Sequence, residues 1–267
     1  MDLGIAGRTA LVLGGSKGIG RQIALDFADN GVNTIIVARG QEAIDDTVAA
    51  GRAKGAKVIG ISEDLLDLDA YARIQARAVA ELAAPDIAIY NLDPPPPGTF
   101  ADVDEELLAQ AYHSVVLCYA RMLRTVLPHM QEQGWGRIVT IGSGTAKQLV
   151  RSGLNFGYVL ANTTRVSASA LMKTVAGEVA QNGVTLNTIG TGYIDTEANR
   201  SWTHEQAEAA DMSFDDFRGN MVQHIPVGRA GAPGEMASLC LYLCSQGAGF
   251  TTGETILCDG GQTNSIL

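Results

Sequence analysis

Short apolar runs recur along the chain, and each is followed by a longer stretch whose apolar positions fall at helical spacing. Residues 9–13 read TALVL, stop at Gly14-Gly15 and give way to helical spacing from Ile19 to Phe27. That order is strand, glycine turn, helix. The same kind of run returns at 34–38, 58–61, 87–90, 137–141 and 185–189. Between the runs, residues 41–54, 69–82, 105–130 and 158–182 are rich in Ala, Leu, Glu, Gln and Arg, which favour helix. Near-continuous apolar strands suit a parallel sheet covered on both faces. The pattern predicts an α/β fold, a doubly wound parallel sheet with helices on both faces.

Past residue 194 the pattern changes. Residues 195–224 carry Trp202, Met212, Phe214, Phe217 and Met221 among seven acids and no clean strand, which predicts a helical excursion or flap. A helix over 233–244 and a last strand over 254–258 follow. Four prolines at 94–97 fix an extended segment directly after a predicted strand end. That segment reads either as a stiff connector or as a pocket wall.

Composition narrows the function classes. A length of 267 residues, 46% hydrophobic and 18% charged, fits one large core over residues 1–267 and excludes a disordered chain. Glycine is in excess, 31 residues against an average of roughly 7%. Lys plus Arg is 19 and Asp plus Glu is 29, so the formal charge is −10, which disfavours nucleic acid and anionic membrane as partners. Cys118, Cys240, Cys244 and Cys258 form no CxxC and read as reduced core thiols. The four histidines show no metal-like grouping, so no metal is expected. Without a signal-like leader or an apolar run near ~18 residues, the expectation is a soluble cytoplasmic protein.

The loop Gly14-Gly15-Ser16-Lys17-Gly18-Ile19-Gly20 lies between the first strand and helix, where main-chain N–H groups and the helix dipole make an anion site. No Gly-Lys-Ser/Thr closes it, so it is not a P-loop. Written LGGSKGIG, it resembles the TGxxxGIG loop of the short-chain dehydrogenase/reductase superfamily, including its 3-oxoacyl-carrier-protein-reductase-like members, with Leu13 in the usual threonine place. Further landmarks follow in order: Asp64-Leu65, Asn91 within Tyr90-Asn91-Leu92-Asp93, Gly142-Ser143, Asn187 with Gly192, and Asp259-Gly260-Gly261. The resemblance implies a Rossmann-type domain that binds a nicotinamide dinucleotide and assembles as a homodimer or homotetramer. It also implies cofactor contacts at Gly14, Ser16, Lys17, Gly18, Ile19, Gly20, Asp64, Leu65, Asn91, Asn162, Ile194 and Thr196.

Charge selects the dinucleotide. An acid at the end of the second strand would hold a free ribose hydroxyl and repel a 2′-phosphate. Here Ala38 takes that place, Arg39 follows it, and Lys17 lies in the loop, so NADP(H) is expected over NAD.

The catalytic positions depart from the family pattern. Tyr158 opens YVLAN and matches the first residue of YxxxK, but Asn162 stands where lysine is usual. The helix asparagine of the family falls near Ser114-Val115 and is lost. Ser143 and Thr145 both qualify as the hydroxyl that binds a carbonyl oxygen, and Lys147 is either an exposed loop lysine or a replacement cation. The family's lysine lowers the tyrosine pKa and holds the nicotinamide ribose; a neutral Asn162 can do only the second. The expected function is NADP(H)-dependent reduction of a carbonyl, with the alcohol as product, on a small hydrophobic or aromatic substrate. A redox-neutral isomerisation or dehydration, or a non-catalytic NADP(H)-binding protein, are the alternatives.

Overall fold

The computed structural model describes residues 2–150 and 157–266. Its strands are β1 (Thr9–Leu13), β2 (Asn33–Ala38), β3 (Val58–Ser62), β4 (Ile87–Tyr90), β5 (Gly136–Ile141), β6 (Val184–Thr191) and β7 (Thr255–Cys258). They form one sheet in the order β3-β2-β1-β4-β5-β6-β7, and every pairing is parallel. This is the doubly wound, Rossmann-type arrangement that the run pattern predicts.

Strand alternation divides the core into two. Leu11 and Leu13 of β1 face one side, with α3 (Ala70–Glu81), α5 (Cys118–Glu132) and α6 (Val159–Val179). Ala10 and Val12 face the other, with α1 (Gly18–Asp29), α2 (Gln41–Arg52) and α9 (Pro233–Cys244). Cys118, Cys240 and Cys244 are buried free thiols in these layers, as expected. No helix among the described residues is long and apolar enough to cross a membrane.

Two stretches differ from expectation. The single helix expected over 105–130 is α4 (Glu105–Tyr112), a π-helical turn (His113–Leu117) and then α5. A π turn widens the helix by one residue and frees a carbonyl from the regular ladder. Here Ser114 O receives the Tyr90 hydroxyl at 2.5 Å, so a sheet side chain supplies the partner. The excursion over 195–224 is a helical pair, α7 (Glu197–Ala209) and α8 (Phe214–Val222). Thr196 and Ser213 cap them by accepting from the Asn199 and Asp216 amides.

Candidate active site

The strand order reverses between β1 and β4, and an open α/β sheet binds its ligands in the crevice outside that reversal. The glycine loop sits there. Asn91 follows β4 and donates from Nδ2 to Gly14 O at 3.1 Å, tying the loop to the switch point. A side chain is excluded at two loop positions: a Cβ on Gly14 (φ 68°) would lie 1.9 Å from Asn91 O, and one on Gly20 would lie 2.1 Å from Gly14 O. Lys17 is the N-cap of α1, with no side-chain cap bond and no acid in the first turn. The first amides of α1 are therefore left to an anion. Thr196, at the start of α7, comes within 3.4 Å of where a Gly18 Cβ would be, so the flap begins against the loop. Ser16 O accepts from Thr47 Oγ1 at 3.2 Å, and Ile19 packs into the core beneath. Ile194 is buried and bridges to Gly231.

At the β2 end, the two cations expected at a 2′-phosphate are each near an acid. Arg39 Nη2 lies 3.2 Å from Asp93, and Lys17 Nζ lies 3.9 Å from Glu197. All four side chains are exposed, so both contacts are cheap to exchange. Asp64 accepts the Leu66 amide at 3.0 Å, and Leu65 is buried with its carbonyl receiving Tyr71 Oη at 3.1 Å. Leu65 thus gives its side chain to the core, leaving Asp64 as the exposed member of the pair. Bare helix amides, glycines at close backbone approaches and two exchangeable cations are a donor set that fits a phosphorylated dinucleotide.

The reacting end lies beyond β5. Ser143 caps the short 3-10 turn Gly144–Ala146 by accepting the Thr145 amide at 3.2 Å, an arrangement that leaves its own O–H to donate elsewhere. Thr145 Oγ1 is sealed from solvent and has no hydrogen-bond partner among the described residues. Tyr158 is the N-cap of α6 and half-buried. Burial pushes its phenol above its ordinary value. The end of the proline segment is stitched beside it, Gly98 N donating to Gly157 O at 2.8 Å, which makes that segment a wall of the site. From the other side, Trp202, Met212 and Met221 pack with Tyr158 around buried Ala207 and Phe217. These lid side chains therefore seal against one another as well as against the tyrosine.

Asn162 and Lys147 complete the candidate set. The Asn162 amide pairs with the backbone of Val150, accepting its N–H at 3.2 Å and donating to its carbonyl at 2.9 Å. It fastens the loop after β5 to α6. Lys147 is partly exposed and makes no ion pair among the described residues. Asn187 has a structural task, donating to Thr251 O at 2.8 Å and accepting the Glu254 amide at 3.1 Å.

One residue escaped the reading of the sequence. Arg165 on α6 is 7% exposed, and among the described residues it makes no hydrogen bond or ion pair. Its signal is its place: positions 158, 162 and 165 share one helix face. No group of three or more His, Cys, Asp or Glu side chains among the described residues is arranged to hold a metal.

A sequence model of the family described as enoyl-(acyl carrier protein) reductase matches residues 14–263. The rabbit (Oryctolagus cuniculus) dehydrogenase/reductase SDR family member 4 is 29% identical over 98% of this chain and 96% of its own length. The NADPH-dependent reductase BacG of Bacillus subtilis is 28% identical over 97% of this chain and 99% of its own. A 3-oxoacyl (acyl-carrier-protein) reductase from Agrobacterium tumefaciens, solved with NADP bound, superimposes with a TM-score of 0.85 at 29% identity, covering 97% of this chain and 96% of that one.

Proposed function

Because the chain belongs to the short-chain dehydrogenase/reductase family, we propose that it is an NADP(H)-dependent reductase, acting on a carbonyl of a small hydrophobic or aromatic substrate. In this reading residues 1–267 are one dinucleotide-binding domain, assembled as a homodimer or homotetramer. The observation that carries the reading is the placement of Tyr158. It opens α6 at the carboxyl end of the sheet, beside the wall at Gly98 and under the apolar side chains of α7 and α8.

A bound nicotinamide would supply the hydride. Tyr158 Oη gives its proton to the carbonyl oxygen, and Ser143 donates a hydrogen bond to that oxygen as charge builds on it. Ser143 takes this part rather than Thr145, whose Oγ1 is closed off from any ligand. The loop amides and Gly14, Gly18 and Gly20 hold the pyrophosphate. Lys17 and Arg39 exchange their single carboxylates for a dianionic 2′-phosphate, a stronger partner.

The raised phenol favours carbonyl reduction at neutral pH. Because the Tyr158 pKa lies above its ordinary value, the acid form persists through pH 7 and into the alkaline range. Reduction therefore stays level until the pH approaches that pKa and falls above it, while alcohol oxidation, which needs the phenolate, climbs with pH. Tyr158→Phe tests the assignment directly. We expect kcat for reduction to fall by roughly 10²–10⁴ with NADPH binding kept. Unchanged turnover would remove Tyr158 as the acid, and product formed without loss of NADPH absorbance would favour a redox-neutral reaction. Arg39→Asp with Lys17→Ala moves preference toward NADH, and an unmoved preference would remove the 2′-phosphate site.

A further inference from the structure

The unexplained charge in this site is Arg165. Three residues after Asn162 and seven after Tyr158, it lies on the helix face that both occupy. Helical side chains lean toward the N-terminus, and three residues span only about 4.5 Å of helix axis. The long Arg165 side chain is thus directed back toward the turn that holds Asn162. Its charged head lies close enough to the Tyr90 hydroxyl to oppose the upward push that burial gives that phenol. Tyr90 closes β4 at the switch point, and the next residue, Asn91, braces the glycine loop. The Arg165 head thus lies toward the end of β4 that the switch point uses, where Tyr90 Oη donates to Ser114 O of the π turn.

A guanidinium is not retained in such a place without cause. It carries five donors and stays charged even where burial lowers its hold on the proton, as it does here. Burying it without an acceptor is strongly unfavourable. Arg137, the other buried arginine, shows the usual remedy: it donates to the carbonyls of Ser245, Gly136 and Gly183. Beside Arg165 is the Tyr90 phenol, with Tyr71, Tyr119 and Cys118 beyond it and the Asp64 carboxylate acting on Tyr71 and Cys118 in turn; among the described residues no carboxylate pairs with Arg165. Asn162, one turn away on the same face, spends its amide on Val150. None of its nitrogens is among the side-chain atoms sealed without a partner, so the Arg165 head keeps an opening through which a ligand's oxygens can reach it.

We propose that Arg165 is the fixed cation of this active site and that it donates to the hydroxyls of the nicotinamide-side ribose when the dinucleotide binds. The assignment rests on the NADP(H) reading above, and it gives that reading the donor that Asn162 does not supply. It also restores a positive charge to the helix face that carries Tyr158.

Two nucleotide fragments separate this contact from the rest of the cleft without any turnover. 2′-Phospho-ADP-ribose carries the second ribose, and 2′,5′-ADP lacks it. Calorimetric titration of the whole protein should show Arg165→Met losing tenfold or more in affinity for the first and staying within twofold for the second. Arg165→Lys should recover part of the loss, because it keeps the charge but not the planar fork. Should Arg165→Met fail to fold, Arg165→Gln is expected to show the same split, and melting curves identify which variants are intact. Equal losses for both fragments, or no loss for either, would overturn the proposal. A wild-type protein that binds neither fragment would overturn the nucleotide reading itself, and this contact with it.

Discussion

The two edges of the sheet treat buried charge in opposite ways. At the amino edge, Asp86 accepts the Thr9 amide at 2.8 Å and Arg8 at 3.2 Å. Arg8 and Arg137 both stack on Trp135, at 4.0 and 4.5 Å from ring centroids, and Arg137 satisfies three carbonyls. At the carboxyl edge the first amides of α1 are uncapped, and Arg165 is buried with no hydrogen bond or ion pair among the described residues. A network that closes on itself stabilises the fold and leaves nothing for a ligand to complete. One left open costs stability until a ligand fills it, which is the mark of a binding edge.

The sharpest way to break this contrast is to remove the two buried arginines in turn. Arg137→Met removes a donor from each of the Ser245, Gly136 and Gly183 carbonyls, of which Gly183 keeps the Gly136 amide, and uncovers a face of Trp135. We expect a loss of about 3–5 kcal/mol, seen as a melting temperature lower by roughly 10 °C. Activity per folded molecule should be unchanged, because nothing at that edge faces the cleft. A small effect would mean that the amino edge is less of a closed network than its geometry says.

Arg165→Met should move stability the other way. Replacing a buried charge that has no protein partner with an apolar side chain of similar volume is expected to stabilise the ligand-free protein by about 1–3 kcal/mol. Denaturant unfolding of both variants under one set of conditions checks the sign. If Arg165→Met destabilises the protein as much as Arg137→Met, the two edges are alike and Arg165 is a structural arginine.

The same contrast explains what could be read from the sequence. Closed, apolar parts were legible: TALVL and its successors read as strands because β-branched and aliphatic residues between glycine turns have few other homes. The glycine loop and the place of Tyr158 at the start of a long helix were legible because local spacing carries them, whereas spacing left Ser143 and Thr145 both open. The open edge was not, since its facts join distant residues. Asn162 meets Val150 across a loop, and Arg39 meets Asp93 from 54 positions away. Arg165 was passed over because an arginine in a helix ordinarily lies in water, and only the packing of α6 against β6 and the π turn buries it. The π turn was missed because a single added residue barely disturbs helical periodicity.

The smallest expected effect concerns the outer rim of the open edge. Arg39 must leave Asp93 before it can take a 2′-phosphate, and with both side chains exposed the exchange costs little. Asp93→Asn removes the competitor while keeping the shape of the side chain. NADPH should then bind about two- to fivefold more tightly at low salt, with NADH unchanged, and the gain should shrink as salt screens the rim. Fluorescence titration of the two cofactors reads both numbers. An equal change for NADH would show that Asp93 acts on the ribose or adenine common to both, and the 2′-phosphate would then have to be sought at Lys17 alone.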